Sequence, residues 1–114
     1  MKRIKFFVCE KCGNIVQSTG TGEVTCCNKK LAPLSLQKID ESHKVKISEI
    51  ENDYYIEFSH DMSKEHYISF VALVKFDRVF TVKLYPEQDS AVRLPKVVGA
   101  KILFYCNNHG LFEI

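Results

Sequence analysis

The sequence predicts an all-β fold in two parts: a small metal knuckle over residues 1–37 and an antiparallel β-sandwich over residues 38–114. Three observations lead there. Four cysteines, Cys9, Cys12, Cys26 and Cys27, cluster near the N-terminus with metal-ligand spacing. From about residue 43 onward, short apolar or alternating runs are separated by turn-prone residues. No stretch combines helical periodicity with caps.

The elements follow in order. Ile4, Phe6 and Val8 lead into Cys9 as a short extended run. Ser18-Thr19-Gly20-Thr21-Gly22 is a loop of small residues that tolerate positive φ. Val24 leads into Cys26-Cys27, and Pro33 with Leu34 to Gln37 reads as a connector. Val45, Ile47, Tyr55, Ile56 and Phe58 fit strands on either side of the turn Glu51-Asn52-Asp53. Residues 67–76 (YISFVALVKF) form an apolar strand, and residues 78–84 (RVFTVKL) alternate. Residues 91–94, 101–105 and 111–114 complete the set. Ser63 to His66 has room for one helical turn at most.

The 114 residues and 46% hydrophobic content suffice for a real core, although the N-terminal piece alone is too small to supply one. The net charge of +2 is spread without a basic stripe, so no nucleic-acid partner is expected. Lys2, Arg3 and Lys5 read as a solvated terminus. Residues 4–8 are too short for a signal-peptide core, and no apolar run reaches membrane-spanning length. The expectation is a cytoplasmic protein with no membrane partner, where cysteines at these spacings favour metal over disulfides.

The five cysteines and four histidines sort into two ligand sets. Cys9-x-x-Cys12-Gly13 lets two thiolates reach one ion, and Cys26-Cys27 supplies the other half of a tetrahedron. Four thiolates suit zinc or iron. The second pair has no spacer, so the chain must bend for both sulfurs to bind. The other set is His43, His60, His66, Cys106 and His109. Imidazole mixed with thiolate suits iron, copper or zinc. Five protein ligands exceed the usual four of zinc and leave an octahedral ion one open position, which points toward iron and a small oxygen species as substrate.

These residues resemble a known family. Cys9-x-x-Cys12 with Cys26-Cys27 resembles the desulforedoxin-like module of desulfoferrodoxins. SHDMSKEHYISF (59–70) and YCNNHGLF (105–112) resemble the iron-binding core of superoxide reductases. The resemblance spans nearly the whole chain. It implies an Ig-like sandwich carrying a ferrous centre with His43, His60, His66 and His109 as equatorial ligands and Cys106 as the axial thiolate. It implies a second iron on the four cysteines, with zinc as the alternative ion there. The implied activity is one-electron reduction of superoxide to hydrogen peroxide by a homodimer, with electrons from a rubredoxin-type donor.

Three positions depart from the family pattern. Glu41-Ser42-His43 stands where Glu-Lys-His is usual. Glu41 matches the carboxylate that occupies the open position after oxidation, and Lys44 or Lys46 is the nearest source of the charge that Ser42 lacks. Asp61 replaces a proline, and a carboxylate there weakens a field that attracts an anion. Phe70 and Phe112 replace tryptophans, keeping an apolar wall without an indole donor. The main alternative is an electron-transfer or iron-binding protein with little superoxide turnover, resting on Ser42. Structural zinc at both sites, and superoxide dismutation, are the others.

Overall fold

The computed structural model describes residues 4–39, 45–58, 60, 62–75 and 78–114. The chain forms two compact units, Met1–Ser35 and Leu36–Ile114. The boundary at 37/38 expected from sequence falls inside a strand of the second unit, two residues beyond this division.

The first unit is two hairpins. Strands β1 (Lys5–Val8) and β2 (Ile15–Ser18) pair antiparallel, as do β3 (Val24–Cys26) and β4 (Lys29–Leu31). Among its described residues the buried apolar ones are Phe6, Phe7 and Cys9. Cys26 faces Lys29, so Cys27 and Asn28 are the whole turn, with φ of 54° and 61°. Two successive positive φ values reverse a chain within two residues and match the twist of a hairpin. This is the bend that an adjacent cysteine pair requires.

The second unit is a sandwich of two sheets. The smaller has the order β10 (Ala91–Pro95), β7 (Asp53–Phe58), β6 (Val45–Ile50). The larger has the order β5 (Leu36–Lys38), β12 (Gly110–Glu113), β11 (Lys101–Cys106), β8 (Ile68–Lys75), β9 (Arg78–Lys83). Alternation on β7 and β10 sends Ile56, Phe58, Val92 and Leu94 into the core. They meet Ile68, Val71 and Leu73 of β8, Phe104 and Cys106 of β11, and Phe112 of β12. Phe58 meets Phe104 edge-on, and Phe104 stacks on Phe112. β8 and β11 are buried on both faces, which is why their sequences read as near-continuous apolar runs.

Two expectations need correction. The connector after Pro33 contains β5, which runs parallel to β12 with Leu36 opposite Leu111 and Gln37 opposite Phe112. Its three residues are all exposed, so no alternation betrays it. Ser63–His66 is not a helical turn. The Ser63 N–H donates to the His66 carbonyl at 3.1 Å, the reverse of the helical direction.

Among the described residues, no helix is long and apolar enough to cross a membrane.

Candidate metal centres

In the first unit the loop between β1 and β2 carries Cys9 and Cys12. It is closed by Cys9 N–H to Asn14 O at 2.9 Å and Gly13 N–H to Cys9 O at 2.8 Å. Gly13 sits at φ 74°, a conformation that favours glycine. The β3–β4 turn brings Cys26 and Cys27 to the same place, and the ligand atoms of all four cysteines lie within 4.8 Å of one another. Cys12 Sγ is 3.5 Å from Cys26 Sγ, and Cys26 Sγ is 3.9 Å from Cys27 Sγ. A tetrahedron with metal–sulfur bonds of about 2.3 Å has edges of about 3.8 Å. These spacings bracket that edge, so the four sulfurs fit one tetrahedral ion.

Their proton affinities diverge. Cys9 is lowered to about 6, chiefly by the backbone amide of Cys12. Cys27 is pushed up to about 12 and Cys26 is raised, both chiefly through hydrogen bonds with Cys12 and Cys9. One thiolate is favoured by its neighbours' hydrogens. Ionising all four demands a compensating cation. Asn14 Nδ2 adds a donor to Cys26 Sγ at 3.8 Å.

In the second unit, His60 and His66 come from the loop between β7 and β8. Cys106 ends β11, and His109 lies in the turn to β12. Their ligand atoms also lie within 4.8 Å of one another. The His60 and His66 rings are 4.4 Å apart between centroids, and those of His66 and His109 are 5.0 Å apart. Cys106 Sγ is 3.4 Å from His109 Nδ1, near the roughly 3.1 Å that two ligands at right angles on one ion subtend. Cys106 is fully buried, while His109 is exposed. The cluster therefore has a dry thiol side and an imidazole at the solvent edge. Three imidazoles and a thiolate form a donor set suited to iron, copper or zinc. His43, Glu41, Ser42, Lys44 and Asp61 lie outside the described residues.

The supports around the cluster were not anticipated from sequence. A register shift between Tyr105 and Cys106 ends the regular ladder with β8. Beyond it, Asn107 bonds to the segment around His66. On the opposite side Gln37 of β5 donates from Nε2 to the His109 carbonyl at 2.7 Å. Carboxamides are too common for composition to single these two out. Lys83 projects its ammonium over the rings of Tyr67 and Tyr85 and donates to Ser69 O, Ser69 Oγ and Leu84 O, and its partial burial lowers its proton affinity.

Gly110 directly follows His109 and has φ 103°. A Cβ added there would lie 2.5 Å from Gln37 Nε2. Gln37 cannot retreat without breaking its bond to His109. Gly110→Ala is thus expected to cost about 1–3 kcal/mol, from backbone strain together with that lost bond. Urea unfolding checks it. A midpoint equal to that of the unmutated chain would refute it.

No family model matches the chain. Curated relatives do. The desulfoferrodoxin of Desulfarculus baarsii is 34% identical over 118 residues, spanning 96% of this chain and 94% of that one. The desulfoferrodoxin of Syntrophotalea carbinolica is 30% identical, spanning 98% and 96%. A desulfoferrodoxin homolog of Methanothermobacter thermautotrophicus is 28% identical, spanning 95% of each. Among solved structures, the superoxide reductase from Treponema pallidum superposes with a TM-score of 0.81 at 17% identity. That match covers 99% of this chain and 98% of the other, a likeness of fold.

Proposed function

The chain belongs to the desulfoferrodoxin family, and from that premise we propose that it is a superoxide reductase of the two-iron type. The observation that carries the proposal is the convergence of His60, His66, Cys106 and His109 on one point, with the thiol buried and one imidazole exposed. These four, with His43, would hold one iron. Cys9, Cys12, Cys26 and Cys27 would hold the second, or zinc. A ferrous ion held there would supply the one electron needed to take superoxide to the peroxide level, with two protons from solvent completing hydrogen peroxide.

The residues of the chain supply the rest. Cys106 places an anionic donor inside the core, where low dielectric strengthens its interaction with a cation. His109 holds the solvent-facing edge, where a small anion enters and water delivers protons. Glu41 and Lys44 are proposed to act on the substrate, the lysine attracting the anion. A rubredoxin-type protein is the proposed donor, and a cytoplasmic homodimer the proposed form.

The test is the peroxide yield per superoxide consumed by anaerobically iron-loaded, pre-reduced protein. One peroxide per superoxide, continuing only while reductant is supplied, supports a reductase. Half that yield with dioxygen evolved means dismutation. No acceleration means an iron-binding or electron-transfer protein. Cys106→Ser is expected to slow the reaction by at least about a hundredfold and remove the thiolate-to-metal absorption of this site while leaving that of the four-cysteine site, because changes one shell further out already cost roughly 10–100-fold. An unaltered rate in this variant would remove the thiolate from the ligand set.

A further inference from the structure

We infer that Asn107 is a positioning residue of the imidazole–thiolate cluster, gripping both peptide groups that bracket His66. The inference rests on the metal-binding reading proposed above and goes beyond it. Asn107 follows Cys106 directly and precedes His109 by two residues. All three of its hydrogen bonds go to one short segment of another loop. Its Oδ1 accepts the Tyr67 N–H at 2.9 Å, and its Nδ2 donates to the Glu65 carbonyl at 3.1 Å. Its own N–H donates to the Tyr67 carbonyl at 3.2 Å.

The Glu65 carbonyl belongs to the peptide before His66, and the Tyr67 N–H to the peptide after it. One planar carboxamide thus holds a group from each. Ser63 holds the other group of each. The His66 N–H donates to Ser63 Oγ at 3.1 Å, and the His66 carbonyl accepts from the Ser63 N–H at 3.1 Å. Both peptides are bonded at both ends, which restrains rotation about both backbone bonds of the His66 Cα. Because Asn107 shares a backbone with Cys106 and His109, it sets the separation of three of the four clustered side chains.

Donor and acceptor are both required, which only a carboxamide of this length provides. Asn107→Asp keeps the acceptor for Tyr67 and loses the donor for Glu65. Asn107→Leu loses both at similar volume.

The experiment is a cobalt(II) titration of the full chain, reading the thiolate absorption of each site, beside thermal unfolding of the metal-free protein. The four-cysteine site is the internal control. Cobalt affinity at the imidazole–thiolate set is expected to fall about 10–100-fold in Asn107→Leu and by less in Asn107→Asp, with altered band shape and no change at the four-cysteine site. Lower thermal stability with unchanged affinity and band shape would overturn the inference, reducing Asn107 to a structural role. So would wild-type behaviour of both variants. Should Asn107→Leu fail to fold, Asn107→Asp gives the same readings. If the unmutated chain takes no cobalt at this set, the metal-binding reading itself fails, and the inference falls with it.

Discussion

Replacing Cys9 and Cys12 together by serine is expected to unfold the unit Met1–Ser35 while the unit Leu36–Ile114 keeps its fold. The first unit has little else to hold it. Among its described residues only Phe6, Phe7 and Cys9 are buried and apolar, and each of its sheets is a single hairpin. Isolated hairpins are marginal at best, and domains below about 40 residues usually need a metal or disulfides. A structural ion contributes roughly 10–16 kcal/mol of apparent folding free energy, far above what three buried side chains supply. Without it, four sulfurs within 4.8 Å are left competing for protons. Amide spectra would show the outcome directly. Collapsed dispersion is expected for residues of the first unit, with unchanged shifts in the second. Retained dispersion throughout would show that the hairpins stand without the ion. A chelator added to the unmutated chain should reproduce the pattern.

The second large effect is expected at Phe104. Its ring is fully buried, edge-on to Phe58 at 5.1 Å and stacked on Phe112 at 5.3 Å, so it joins both sheets of the sandwich. Phe104→Ala is expected to cost about 3–5 kcal/mol, from lost transfer energy and the cavity left behind. A domain of this kind has roughly 5–15 kcal/mol in total, so a fall in melting temperature of at least about 12 °C follows. Phe80, 48% exposed on the edge strand β9, is the control. Its alanine variant should change stability by no more than about 0.5 kcal/mol. A Phe104→Ala loss as small as that of Phe80→Ala would show that the two sheets do not depend on this ring.

What the sequence disclosed, and what it hid, divides along physical lines. β8 and β11 were legible because strands buried on both faces must be apolar throughout. β7 and β10 were legible by alternation. β5 was not, because three exposed residues at a sheet edge carry no burial pattern, and its partner β12 lies more than seventy residues away. The ligand sets stood out because cysteine and histidine are sparse, and their chemistry leaves few other uses for such clustering. The residues that hold the ligands did not stand out. Ser63, Asn107 and Gln37 are common types, and their importance comes from three-dimensional position. The stretch from Ser63 to His66 was given room for a helical turn because its closing bonds, made by Ser63, have no counterpart in periodicity.

The parallel pairing of β5 with β12 also bears on how the protein is made. Synthesis runs from the N-terminus, so Cys27 leaves the ribosome long before Cys106. The first unit is thus complete, with all four of its sulfurs, while most of the second remains untranslated. The larger sheet cannot finish in the same stepwise manner. Leu36 must wait for Leu111, and contacts of such separation close slowly. His60 and His66 spend that interval without Cys106 and His109. The two ligand sets therefore assemble in sequence, the four sulfurs with the first unit and the imidazole–thiolate set only after the last strands dock.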